Sequence, residues 1–283
     1  MGAPERIVGP GELLRKYGLA PRKSWGQNFL HDHRVHEEIV MASGAQAGGR
    51  VVEIGAGLGT LTMHLLRTGA EVWAIERDRD LCDVLRKELG GVPRFTLFEA
   101  NAVTFDYGRA ALDSARVPVV GNLPYQLTGE LLFSLLEHDA ATGVWIVMVQ
   151  QEVADRLCAS PGTKQYGAPT VTLGRTRQMT RVCNVGPGSF LPPPRVKSTV
   201  VCLSPRDQPF GVVRDPAGFQ ALVRAAFGQR RKTLLNSLSV LAPKAEVSAW
   251  CASAGIDPGL RAERLDASEF AALQRARETE ADA

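Results

Sequence analysis

No stretch of the chain approaches the roughly twenty consecutive apolar residues needed to cross a bilayer, so no membrane contact is expected. The opening "MGAPERIVGPGELLRKYG" lacks the apolar block of a secretory signal. "MGAPER" also lacks the Ser or Thr that myristoylation requires at its sixth position. Cysteine is sparse. Cys82, Cys158, Cys183, Cys202 and Cys251 make five, an odd count at wide spacing with no C-x-x-C. That argues against a disulfide framework and a zinc finger, and it fits a reduced, cytoplasmic setting. The chain has no P-loop lysine followed by Ser or Thr, no G-x-G-x-x-G and no internal repeat. Net charge is only +3, too small to define a partner by itself.

What charge there is lies unevenly. Residues 195–235 carry Arg195, Lys197, Arg206, Arg214, Arg224, Arg230, Arg231 and Lys232 against Asp207 and Asp215. A second acid-free stretch holds Arg15, Lys16, Arg22 and Lys23. Polyanion contact near both places and a merely solvated face are equally compatible with this.

From residue 50 the hydrophobic pattern alternates between short Val- and Ile-rich runs and helical periods. "RVVEI", "EVWAIE", "RFTLFEA", "VPVVGN" and "GVWIVMVQ" read as strands, with "TLTMHLLRTG", "DRDLCDVLRKELG" and "LTGELLFSLLEHD" as helices between them. Such alternation predicts an α/β domain built on a parallel sheet covered on both faces. Beyond the polar, proline-bearing "SPRDQPFGVVRDP" only helical periods remain. We therefore expect a main domain over 1–205, with a helical segment at 1–45, and a small helical domain over 206–283 whose last residues fray.

The first strand runs into "EIGAGLGTLT", with Glu53, Gly55, Gly57 and Gly59 in one turn ahead of a helix. The glycines let backbone lie close against a ligand. Glu76 closes the next strand, about twenty residues after Gly55, where an acid can accept from both hydroxyls of a ribose. A solvated helix cap is the other reading of Glu76. Loop and acid together favour a nucleoside cofactor, and the missing phosphate motif favours S-adenosylmethionine over a nicotinamide dinucleotide.

"GNLPYQL" ends the fourth parallel run. An exocyclic adenine amine is a weak nucleophile because its lone pair is delocalised into the ring. Two acceptors, the side-chain oxygen of Asn122 and the carbonyl of Leu123, can aim its N–H bonds. Pro124 stiffens the turn, and Tyr125 offers a flat face for an extruded base. The work is positioning and electrostatics, without a general base. An ordinary strand-to-helix turn with an Asx bond is the bland alternative for the tetrad alone. His31, His33 and His36 crowd one stretch. A metal site would need further converging partners, so they are expected to be surface or capping residues and no metal is expected. Trp25 either stacks on RNA or packs.

These motifs resemble the ribosomal RNA adenine N6-dimethyltransferases, and within them the bacterial enzymes acting on two adjacent adenines near the 3′ end of 16S rRNA. The resemblance rests on "KSWGQNFLHD", "EIGAGLGTLT", "NLPYQLTGELL", "QQEVADRL", "FLPPPRVKSTVV", "FGQRRKTLLNSL" and "RAERL". It implies a Rossmann-like class I S-adenosylmethionine-dependent methyltransferase with a small C-terminal helical domain. It further implies that Asn28 and Leu30 cover the cofactor's methionine end, Gly55 and Gly57 lie under it, Glu76 holds the ribose and residue 101 meets the cofactor adenine. Asn122 would face both cofactor and target amine, and Phe190 would sandwich the target base against Tyr125. Arg230, Arg231 and Lys232, on a basic helix, would contact rRNA. The implied partner is 16S rRNA in an immature small subunit, bound by a monomer. Asn101 stands where the family usually has Asp, which removes charge assistance worth about 1 kcal/mol. A large-subunit rRNA methyltransferase, a DNA adenine methyltransferase and a non-catalytic assembly factor are the competing readings.

Overall fold

Five of the runs read as strands sit side by side in the fold, seen in a computed structural model that describes residues 6–22, 25–111 and 115–281. The chain opens with α1 (Pro10–Tyr17), β1 (Phe29–Leu30) and α2 (His33–Ser43). Then come β2 (Arg50–Ile54), α3 (Thr60–Arg67), β3 (Glu71–Glu76), α4 (Arg79–Leu89), β4 (Phe95–Glu99), β5 (Val117–Asn122), α5 (Thr128–Glu137) and β6 (Thr142–Gln150). These are followed by α6 (Gln151–Leu157), α7 (Ala168–Gly174), β7 (Arg177–Val185), β8 (Phe190–Leu191) and β9 (Ser198–Pro205). Among the described residues the strands make one seven-stranded sheet, ordered β4-β3-β2-β5-β6-β9-β7, and a β1-β8 pair.

The neighbours from β4 to β6 are parallel. The central runs are mostly apolar because helices cover both faces, and Val51, Val52, Val72, Val119, Val120, Ile146 and Val147 have no exposure, while edge strand β4 stays partly exposed. The all-parallel expectation needs correction at one edge, where β9 runs antiparallel to β6. β9 is entered from β8 through the proline-rich "PPPRVK" and lies between β6 and β7. β7 was not foreseen, since "RQMTRVCNV" is polar at most positions and only its two ends are buried.

Strand order reverses between β2 and β5, with β3 on one side and β6 on the other. At such a switch point the loops leaving the strands' carboxyl ends diverge and open a crevice. The loops after β2, β3, β4 and β5 all start there.

The chain forms two compact units. One comprises Met1–Ala154 and Thr180–Ser204, and the other Asp155–Met179 and Pro205–Ala283. The second is therefore not confined to 206–283. Tyr166 and Val171 belong to its apolar core with Phe219, Leu222, Trp250 and Phe270, which draws residues 155–179 into it. Its C-terminal helices are α8 (Pro216–Gly228), α9 (Leu234–Leu238), α10 (Lys244–Ala254) and α11 (Ala267–Ala281). The expected fraying does not extend over the final turns of α11. The Glu278 carboxylate accepts from the backbone N–H groups of Arg214 and Asp215 and from Gln274, which anchors that end. Residues 282–283 lie outside the described residues.

Candidate active site

The crevice is a cavity of about 400 Å³. Among its lining residues are Asn28, Leu30, Gly55, Gly57, Glu76, Asn101, Asn122, Leu123, Pro124 and Tyr125. The structure thus brings together ten of the residues singled out from sequence, carried by β1 and the loops after β2 to β5.

The glycine loop turns through left-handed backbone, with φ of +59° at Gly57 and +80° at Gly59. A side chain at either position would be strained, and at Gly59 a Cβ would also press on Leu85 at 2.9 Å. Gly55 N–H donates to Ile75 O at 2.8 Å, so the loop starts pinned to β3. Gly57 N–H donates to Glu76 Oε2 at 2.9 Å, while Arg77 and Asp78 N–H donate to Oε1 at 2.8 and 2.9 Å.

Glu76 is only 7% exposed. It is not the cap of α4, because Asp78 fills that place by accepting from Asp80 N–H. Burial pushes its carboxyl above the usual range, against three backbone N–H donors. Oε1 thus accepts two N–H groups and Oε2 one, so Oε2 keeps one lone pair.

Glu53, at the end of β2, is wholly buried and also lines the cavity. Thr62 donates to its Oε2 at 2.6 Å. Desolvation raises its pKa to about 8, with Glu76 adding repulsion. An unfolded chain ionises this carboxyl near 4.5, while the folded one keeps it protonated to about 8. The unfolded state therefore binds fewer protons in that window, and Glu53 lowers stability progressively as pH rises through it. Glu53→Gln removes the titration and keeps an oxygen for Thr62. Denaturant unfolding should show the variant gaining on the parent by up to a few kcal/mol between about pH 5 and pH 8. A difference that does not change with pH would mean that Glu53 is ionised in the fold.

"GQNFL" supplies one wall. Arg22 binds Asp78 at 2.9 Å and Asp80 at 2.5 Å, and Gln27 donates to the other Asp78 oxygen at 2.8 Å. β1 then pairs with β8, setting Leu30 opposite Phe190. Trp25, 38% exposed, lies against two guanidinium groups, Arg77 at 4.4 Å and Arg22 at 5.2 Å from its ring centre. Of the first basic stretch, Lys16 is also paired, with Glu88. Lys23 lies outside the described residues.

Within the tetrad, Asn122 Nδ2 donates to Asn28 O at 3.1 Å. That commits one of the amide's two N–H donors to the wall and leaves its oxygen as an acceptor. Leu123 N–H is held by Met148 O at 3.1 Å. Pro124 O accepts from Leu127 N–H at 2.9 Å and from the Thr128 hydroxyl at 3.2 Å. Tyr125, partly buried, has its hydroxyl 2.8 Å from Ser198 Oγ. The ring is fixed at its far end. Asn101 is exposed, and its Oδ1 already accepts Val103 N–H at 3.1 Å in an Asx turn, leaving one lone pair.

Two expectations need correction. Phe190 is 2% exposed and packs in the main apolar core beside Leu30, and it is not among the cavity's lining residues. β8 turns its ring inward, so in this conformation it presents no face to stack on. Arg230, Arg231 and Lys232 lie in the turn between α8 and α9 rather than on a helix. Arg230 donates to Lys164 O and pairs with Glu263 at 3.7 Å, while Arg231 and Lys232 are exposed.

The sequence reading also misplaced His36, which is 1% exposed and lines the cavity's edge. Burial, reinforced by the neighbouring imidazoles, holds it down to about 3, and His64 is likewise lowered to about 4. Leu58, Leu61 and Leu81 in the lining were not foreseen either. Their only sequence signal is an apolar residue beside the glycine turn or in the first turn of α4.

A glycine turn after the first strand of a reversing α/β sheet, with a buried acid ending the next strand, is the layout that class I S-adenosylmethionine-dependent methyltransferases share with dinucleotide-binding folds. The family described as ribosomal RNA adenine dimethylase matches residues 18–276. The chain belongs to that family. It is 47% identical over 277 residues to the ribosomal RNA small subunit methyltransferase A of Anaeromyxobacter sp. strain K, covering 94% of this chain and 96% of the relative. It is 41% identical over 257 residues to the protein of that name from Pseudomonas aeruginosa, covering 91% and 94%. Among solved structures, a dimethyladenosine transferase from Plasmodium falciparum superposes with a TM-score of 0.75 at 24% identity, covering 89% of this chain and 98% of that one. The 23S rRNA methyltransferase ErmE superposes at 0.66, also at 24% identity, covering 89% and 100%. At that identity both show the fold alone.

Proposed function

We propose that this enzyme dimethylates the N6 amines of two adjacent adenines near the 3′ end of 16S rRNA, working as a cytoplasmic monomer on an immature small subunit. It is an S-adenosylmethionine-dependent rRNA adenine dimethyltransferase. The relatives just described, named for the small subunit and similar over nearly their whole length, favour that subunit over the large one.

The observation that carries the catalytic reading is the Asn122 amide. Its Nδ2 donates to Asn28 O, and the residue lines the same pocket as Gly55 and Gly57, with its oxygen available to accept. The pocket fits the cofactor. A cavity of about 400 Å³ is in the range that holds a nucleoside-sized ligand. Glu76 Oε2 has a lone pair left for a ribose hydroxyl, Gly55 and Gly57 give close backbone approach, Asn101 can accept from an adenine amine, and Asn28 and Leu30 close the methionine side. When bound, S-adenosylmethionine supplies an electrophilic methyl group on a sulfonium.

The protein's own residues present the nucleophile. Asn122 Oδ1 and the Leu123 carbonyl accept from the target amine and hold its lone pair toward the methyl. Pro124 fixes that turn, and Tyr125 holds the base flat. No side chain need remove a proton before transfer, because the amine turns acidic only once alkylated. Arg231 and Lys232, exposed beside the paired Arg230, would contact rRNA phosphates.

The test is to incubate the enzyme and cofactor with small subunits from a strain lacking the modification, then analyse the rRNA by mass spectrometry. Two adjacent N6,N6-dimethyladenosines near the 3′ end are expected. Product confined to large-subunit rRNA, or monomethylation only, would refute the assignment.

A further inference from the structure

His33 and His36, one helical turn apart on α2, meet His64 of α3. His33 Nδ1 lies 3.0 Å from His64 Nε2, and the His36 and His64 ring centres are 4.8 Å apart. One ring nitrogen from each of the three falls within 4.8 Å of the others. His36 is 1% exposed, and neither of its ring nitrogens has a hydrogen-bond partner.

That arrangement is costly as an apolar core. An imidazole carries one donor and one acceptor, and leaving either buried without a partner costs about 1–3 kcal/mol. A leucine there would pack without that penalty. Buried polar groups are satisfied in the great majority of cases, so this one calls for a ligand.

We propose that His33, His36 and His64 form a binding site for a zinc-class divalent cation, seated between α2 and α3 beside the cofactor pocket. Three neutral nitrogen donors with no thiolate or carboxylate among them suit Zn²⁺, whereas Mg²⁺ and Ca²⁺ require oxygen ligands. Zn–N bonds of about 2.0–2.1 Å place tetrahedral ligand atoms about 3.3 Å apart. The His33–His64 spacing of 3.0 Å is close to that already, and small ring rotations bring His36 into range. A fourth position stays open for water. α3 leaves the glycine turn directly and His36 lines the cavity's edge, so the ion would clamp α2 to the helix that carries the cofactor loop.

The experiment uses the untagged full chain, stripped with chelator and desalted. Zn²⁺ titration by calorimetry should give one tight site per chain, and Zn²⁺ should raise the melting temperature by several degrees where Mg²⁺ does not. His33→Gln and His64→Gln avoid disturbing buried His36. Each should weaken Zn²⁺ binding at least about tenfold and abolish the thermal shift. Co²⁺ should give a tetrahedral visible spectrum without a thiolate charge-transfer band. No Zn²⁺ binding by the parent would overturn the site. So would parent-like binding by both variants, or a thiolate band, which would locate the ion on cysteines.

Discussion

Asn122→Ala is expected to lower the single-turnover rate of methyl transfer, at saturating cofactor, by two to three orders of magnitude, on the scale of losing one positioned electrostatic partner, about 10²–10³. The alanine removes the acceptor aimed at the amine and also the donor that ties the tetrad to Asn28 O. Asn122→Asp separates the two losses. It restores an oxygen toward the amine but sets carboxylate against carbonyl on the Asn28 side. If aim is what matters, aspartate should recover part of the rate. Cofactor affinity, measured by calorimetry, should fall far less than the rate in both variants. Equal losses in affinity and rate would make Asn122 a cofactor ligand only.

Tyr125→Leu keeps bulk and discards the flat face. We expect turnover to fall by one to three orders of magnitude, from the loss of about 1–3 kcal/mol of stacking plus misalignment. Affinity for S-adenosylmethionine should stay within about threefold, since stacking acts on the target. Tyr125→Phe gives up only the hydroxyl contact with Ser198 and should stay within about tenfold of the parent. The second methylation should suffer at least as much as the first, because the monomethylated amine has a single N–H left to guide it. With Phe190 in the core, Tyr125 bears this role without a second aromatic face in the observed conformation. Loss of cofactor binding with turnover retained would return the tyrosine to the pocket wall.

The parallel half of the sheet and the polar and glycine part of the cavity lining were legible, the sheet because it follows from local rules and the lining from such rules together with the family motifs. Apolar runs mark buried strands, and glycines and acids at strand ends mark the loops of a switch point. Glu76 and Asn122 could be named from the residues around them, and Asn28 from the resemblance that "GQNFL" carries. What escaped depends on contacts between distant segments. His64 meets His33 and His36 only once α3 packs on α2, and no spacing rule joins them. Phe190 looked available because it precedes "PPP", yet the β1 pairing turns it inward. β7 hid behind its polar faces. Arg230–Lys232 looked helical from composition, but Arg230 is drawn to Glu263 and Lys164 across the turn. The inclusion of residues 155–179 in the second unit rests on Tyr166 and Val171, whose destination is a tertiary matter.

Every residue in the cavity lining lies between positions 25 and 131, but the groups that hold several of them in place come from far later in the chain. Ser189 O receives His31 N–H, Phe190 and Leu191 pair with β1, and Ser198 holds the Tyr125 hydroxyl. During synthesis from the N-terminus, the lining is therefore complete while its fastenings are still unmade. A nascent chain released before residue 189 would carry the whole binding vocabulary with one wall unsecured. Cofactor capture should accordingly switch on late in translation, as the β8 and β9 segments leave the exit tunnel, and not when the glycine loop or "NLPY" emerges.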